Sequence, residues 1–143
     1  EPAHQSTDTT YVVHCLSNLT DENPDEAVSE RGGTLRMSIS MFPRPHPCPT
    51  KVFALQASTD SMIDCGIYDK DWLVVNSGPV TEPGKIVVAK VEGQTYVRKL
   101  MQDRNGWYLK PENMNYPVIR PKNEENSFNV VGEVIAVQRV LTS

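Results

Sequence analysis

The chain has 143 residues, 38% of them apolar and 22% charged, which fits one ordinary globular domain with room for a substantial core. Fourteen Lys and Arg against eighteen Asp and Glu leave a formal net charge of −4, so nothing chain-wide attracts nucleic acid, whose backbone demands clustered cations. No apolar run approaches the roughly 20 residues of a membrane-spanning helix. Three cysteines, Cys15, Cys48 and Cys65, lack any motif spacing and favour a reduced, cytoplasmic setting over a disulfide framework.

The opening "EPAHQSTDTT" is polar, carries no secretory signal and reads as a linker on a fragment. "TYVVHCLS" (10–17) is β-branched and apolar and predicts a first strand. "NLTDENPDEAVSERGG" (18–33) is acidic and turn-rich, and predicts a loop or arm. On this reading residues 1–33 are linker, first strand and acidic loop, and 34–143 form the compact domain. "TLRMSISM" (34–41) alternates, with Leu35, Met37, Ile39 and Met41 on one strand face. "PRPHPCP" (43–49) has proline at every second position and predicts a stiff connector in preference to a ligand for a proline-binding module.

Further strands are predicted at 51–58, 71–76, 84–91, 94–101, 106–111 and 127–141, from period-2 patterning and richness in Val, Ile and aromatic residues. Glu92-Gly93 and Asn105-Gly106 signal tight hairpins, and Pro83-Gly84 closes a turn. Only a short helical turn after Ser61 interrupts the pattern. The fold class is therefore mostly β, about eight strands with little helix.

Chemistry is sparse. His14 and Cys15 leave opposite faces of a strand, and no Cys-x-x-Cys pair exists, so neither a metal nor another cofactor is expected. "NLT" (18–20) fits a glycosylation sequon but has no meaning without secretion. Ser61 followed by Asp64 fits a helix N-cap with its capping-box partner.

The same serine carries a second reading. "STDSMIDCGIYDKDWLVV", "EPGKIVVAKVEGQTYVRKL", "WYLKPENMNYPVI" and "VVGEVIAVQ" follow one another between Phe53 and Gln138. Together they resemble the self-cleaving domain shared by LexA, UmuD and the lambdoid phage repressors; "EPGKIVVAK" and "LKPENMNYPVI" lean toward the phage repressors. The resemblance implies a compact β domain that dimerises, with Ser61 as nucleophile and the backbone N–H groups of Ser61 and Met62 as oxyanion donors. It implies a lysine base directly after the valine of "YVRKL", a slot that holds Arg98 here, with Lys99 one step on.

A guanidinium stays protonated and cannot accept the serine proton. A β-bulge within 94–98 would swing Lys99 inward as an alternative base. The family cuts an Ala-Gly or Cys-Gly bond; residues 1–60 contain neither, and alignment places Leu19-Thr20 at that pair. The favoured expectation is the C-terminal pairing domain of a phage-type repressor with a decayed cleavage site. It would reach DNA only through a domain outside this chain and be relieved by an antirepressor protein. The alternatives are an active Ser61/Lys99 autopeptidase of the SOS response, stimulated by a RecA filament, and a UmuD-like polymerase accessory subunit.

Overall fold

The computed structural model describes residues 10–16, 31–38, 42, 47–48, 51–120, 129–139 and 141. Eight strands are present: β1 (Thr10–Leu16), β2 (Arg31–Ser38), β3 (Val52–Gln56), β4 (Trp72–Ser77), β5 (Ile86–Val91), β6 (Gln94–Asp103), β7 (Gly106–Lys110) and β8 (Asn129–Gln138). They form a single sheet in the order β2-β1-β3-β4-β8-β5-β6-β7. Every neighbouring pair is antiparallel except β1 and β3. The mostly-β expectation holds, and the one helical element described is a single 3-10 turn, Ile63–Cys65.

The central strands read as unbroken apolar runs because both their faces are covered. Phe53 and Leu55 of β3, with Leu73 and Val75 of β4, join Met62 and Ile67 in one cluster. Their neighbours Val52, Ala54 and Val74 join Val13, Met37 and Phe42 in another. A third cluster gathers Val87, Ala89 and Val91 of β5 with Leu100 and Leu109, under the β6-β7 hairpin. The β5-β6 hairpin turns on Glu92 and Gly93, both at positive φ (50° and 81°), the geometry that matches the twist of the flanking strands.

Two expectations need correction or placing. Residues 31–33, read as the end of the acidic loop, belong to β2, where Arg31 pairs with Leu16 and Gly33 with Cys15. Ladder pairing with β1 overrides the poor strand preference of two glycines, which composition alone registers as loop. The acidic residues 18–30, the strand positions Ile39 and Met41, and the proline connector apart from Pro47 and Cys48 lie outside the described residues.

β8 lies between β4 and β5, and Gly132 makes that position possible. A Cβ added there would stand 2.5 Å from the Asn76 carbonyl oxygen and 2.8 Å from Ser77 Cα. Both obstacles are backbone, so no rotamer change relieves them. Gly132→Ala is expected to lower unfolding free energy by about 1–3 kcal/mol, read as a shifted urea midpoint at unchanged slope.

The end of β8 is tied to the loop before β4 by an ion pair. Arg139 donates from Nε to Asp71 Oδ1 at 2.6 Å and from Nη2 to Oδ2 at 2.7 Å. The Tyr68 N–H also reaches Oδ2, at 2.8 Å, and the Tyr68 ring lies under the guanidinium. Asp71 is only 1% exposed, and these donors, Arg139 first, hold its carboxyl below the ordinary aspartate range. A carboxyl lowered on folding stabilises above about pH 4, its unfolded value, and that contribution is lost as pH falls through the folded value. Asp71→Asn should therefore lower the urea midpoint at pH 7, and the gap from the unaltered chain should close toward pH 3.

Candidate functional site

β3 runs into a loop that rejoins the sheet where it left: the Ala57 N–H donates to Asp71 O, and the Lys70 N–H to Ala57 O, both at 2.8 Å. Within this loop Met62 and Ile67 plunge into the core, at 1% and 4% exposure, and drag Ser61 under the surface with them. The Met62 carbonyl accepts from the Cys65 and Ile67 N–H groups, which winds the 3-10 turn, and Gly66 at φ 95° ends it.

A second segment, 111–116, braces the turn from outside. The Glu112 N–H donates to Ser61 O and the Asp64 N–H to Glu112 O, each at 2.9 Å. Asn113 Nδ2 donates to Asp60 O at 2.9 Å, and the Tyr116 hydroxyl to Asp60 Oδ1 at 2.7 Å. Ser61 is thus held through its carbonyl by Glu112, and its neighbour Asp60 by Asn113 and Tyr116.

Ser61 does not cap the turn. The N-cap position is Met62, which makes no side-chain capping bond. The Ser61 hydroxyl instead accepts from Arg98 Nη1 at 2.7 Å and lies 2.9 Å from Thr59 Oγ1. Sequence pattern supports capping equally well, because a helical turn after a serine looks the same whichever way the side chain points. With Arg98 donating to it, the Ser61 hydroxyl also shares with the Thr59 oxygen a hydrogen bond in which either partner can be the donor. That oxygen also takes the Ser61 N–H at 3.3 Å, so one of the two expected oxyanion donors is engaged; the other, Met62, heads the turn.

Arg98 lies in the middle of β6, 6% exposed, with Nη1 also donating to Val97 O at 2.9 Å. Its guanidinium carbon sits 5.2 Å from the Tyr96 ring centre and 5.6 Å from that of Tyr116. No carboxylate pairs with it among the described residues, and its buried Nε has no hydrogen-bond partner. Burial pulls the guanidinium below its usual value, the neighbouring tyrosines opposing. A group that starts above about 12 remains charged at neutral pH all the same.

Lys99 goes elsewhere. Its Nζ stands 3.5 Å from Glu112 Oε1, and Lys110 Nζ holds the other oxygen of that carboxylate at 2.8 Å. Lys110 first, then Lys99, keep Glu112 below the usual carboxylate range. The β5-β6 register is unbroken from Val91 opposite Gln94 to Ile86 opposite Lys99, so the bulge that would carry Lys99 to Ser61 is absent. Leu19 and Thr20 lie outside the described residues.

Ser61 and Arg98 open on a cleft of about 540 Å³ whose walls include Leu55, Ala57, Val97, Pro117 and Ile119. Sequence reasoning missed Thr59, Asn113 and Tyr116, which position the pair. The "STDSM" and "PENMNY" strings contain them, but only the tertiary fold places those strings in contact. Among the described residues no group of three His, Cys, Asp or Glu side chains could hold a metal ion, and no helix is long and apolar enough to cross a membrane.

Comparison with known proteins gives the chain a family. Residues 17–135 match the family described as Peptidase S24-like. The LexA repressor of Corynebacterium efficiens is 38% identical over 91 residues, 64% of this chain and 38% of that protein. The LexA repressor of Corynebacterium glutamicum strain ATCC 13032 is 35% identical over 102 residues, 67% of this chain and 42% of that protein. That of Myxococcus xanthus is 36% identical over 92 residues, covering 64% and 41%. The chain thus spans about two fifths of the length of the curated relatives it matches. The match over residues 17–135 makes this chain a member of the Peptidase S24-like family, and the chain is similar to the LexA repressors over its matched part.

Proposed function

We propose that this chain is the C-terminal pairing and regulatory domain of a phage-type transcriptional repressor in which self-cleavage is lost. The observation that carries the reading is the 2.7 Å hydrogen bond from Arg98 Nη1 to Ser61 Oγ. A serine attacks a peptide bond only when a base removes its proton as it does so. In a Ser–Lys pair that base is an amine whose pKa burial lowers toward neutrality. Arg98 receives the same desolvation, but from too high a starting value to lose its proton. It stabilises negative charge on Oγ without ever accepting the hydrogen.

The remaining role is association. Two such domains held together would bring two DNA-binding domains, carried outside these residues, onto paired half-sites and multiply their effective concentration. Release of the operator then calls for a protein antirepressor that docks on this domain. The dimer contact, the antirepressor and a cytoplasmic location all belong to this proposal.

The names of the relatives favour a second reading, a LexA-type repressor that does cut itself with Ser61 and Lys99 under RecA stimulation. It would require Lys99 to leave Glu112 and the β5-β6 register to slip by one residue.

Two measurements test the proposal. The full-length repressor, held at alkaline pH to favour deprotonation of a lysine base, should remain intact by mass over a day; two fragments that disappear in Ser61→Ala and Lys99→Ala but persist in Arg98→Ala would instead establish the second reading. In sedimentation at micromolar concentration the chain should run as a dimer or larger, and a monomer would remove the pairing role.

A further inference from the structure

The cavity over Ser61 is rich in hydrogen-bond donors and poor in acceptors. Arg98 is the one charged residue among the described residues that line it. At 6% exposure it is more than nine-tenths buried, and Nε is sealed without a partner. Its bonds to described residues both leave from Nη1, to Ser61 Oγ and Val97 O. Two tyrosine faces and two neutral oxygens compensate a desolvated cation only in part. The hydroxyls add a second surplus. Ser61 Oγ and Thr59 Oγ1 lie 2.9 Å apart and share one hydrogen, but two hydroxyls carry two. Whichever of them donates, the other hydrogen has no acceptor among the described residues. The Asp60 carboxylate takes the Tyr116 hydroxyl and is not part of the lining.

The remaining walls are apolar. Leu55, Ala57, Met62, Ile67, Val97 and Ile119 line the same volume of about 540 Å³, room for a small organic molecule. Charge sets the valence of what fits. One buried cation balances one negative charge, whereas a phosphate dianion would stay half unpaired against apolar walls. A carboxylate also presents two oxygens, one for the guanidinium and one for a hydroxyl.

We propose that this cavity is a binding site for a small organic monocarboxylate with an apolar body, held head-first on Arg98 and the Ser61–Thr59 hydroxyl pair. One carboxylate oxygen accepts from Arg98 Nη2, the other takes the spare hydroxyl hydrogen, and the body packs on Leu55, Val97 and Ile119. The ligand class is a diffusible acid of metabolite size. The inference rests on the proposed function in one respect, that Arg98 keeps its proton and serves as no base. A neutral amine in that place would offer the acid no counter-charge; the permanent cation that forbids proton transfer is what makes the cavity an anion receptor.

The test titrates the full chain at pH 7 with phenylbutyrate and with hexanoate, each beside its neutral amide, and with acetate and inorganic phosphate, followed by protein-observed NMR. At least one of the two longer acids should bind with a Kd of about 1 mM or tighter. It should bind at least tenfold more tightly than its amide, acetate or phosphate, with nuclear Overhauser contacts to the methyl groups of Leu55, Val97 and Ile119. Arg98→Met should weaken it at least tenfold. Equal binding of acid and amide, binding of neither acid, acetate or phosphate binding as tightly, contacts to methyl groups elsewhere, or full affinity in folded Arg98→Met would each overturn the proposal. Should Arg98→Met fail to fold by circular dichroism, the acid–amide comparison and the methyl contacts on the unaltered chain decide. Mass spectra before and after titration check that the chain is uncut at pH 7. Fragments from the full-length repressor at alkaline pH would then remove the proposed function without touching the binding result, and loss of acid selectivity would remove the site while leaving the repressor uncut.

Discussion

A buried guanidinium donating to a buried hydroxyl is the contact on which the chemistry of this domain depends. Arg98 and Ser61 are 6% and 2% exposed, so their 2.7 Å bond operates with little water to dilute it. A low-dielectric site magnifies whatever its charges do. With an amine in that position, burial would favour the neutral base and the serine would be activated. With a guanidinium, the same burial leaves a permanent cation, and the hydroxyl is held as an acceptor. At this place in the strand, the identity of the cation decides whether it can take a proton from the hydroxyl.

The scaffold that holds Ser61 in place is built from other contacts. The loop from Ala57 to Asp71 is closed by backbone bonds at its neck, anchored by Met62 and Ile67 in the core, and clamped at Asp71 by Arg139 from the last strand. The segment 111–116 closes it from the other side through Ser61 O, Asp64 N–H and Asp60. None of these contacts uses the Ser61 hydroxyl or the Arg98 head group. The support of the serine is therefore separate from the side chains that face it in the cleft.

Lys99 shows how narrow the choice is. It follows Arg98 directly and is equally cationic, yet its ammonium closes a bridge with Glu112, the residue whose backbone N–H holds Ser61 O. The lysine contributes to the brace behind the serine, and the arginine to the cleft in front of it. Period-2 alternation along an unbulged strand separates the two roles over a single residue.

The strands, their hairpins and the absence of long helices were legible from the sequence, because period-2 patterning and Asn-Gly or Glu-Gly turns are local properties that act within a few residues. The facing of Arg98 followed from the same alternation once the family resemblance put the lysine slot on one face with Leu100, which is buried in the third cluster. What the sequence could not settle was anything that two distant segments decide together. Arg31 to Gly33 became strand because β1 lay alongside. The Ser61 oxygen accepts from Arg98, far along the chain, instead of capping the turn. Thr59, Asn113 and Tyr116 acquired their positions only when the loop after β7 folded across the turn. Local preference selects the backbone conformations a stretch will accept. Which polar atoms meet, and therefore which protons can be exchanged, is set by packing between elements that sequence order does not place together.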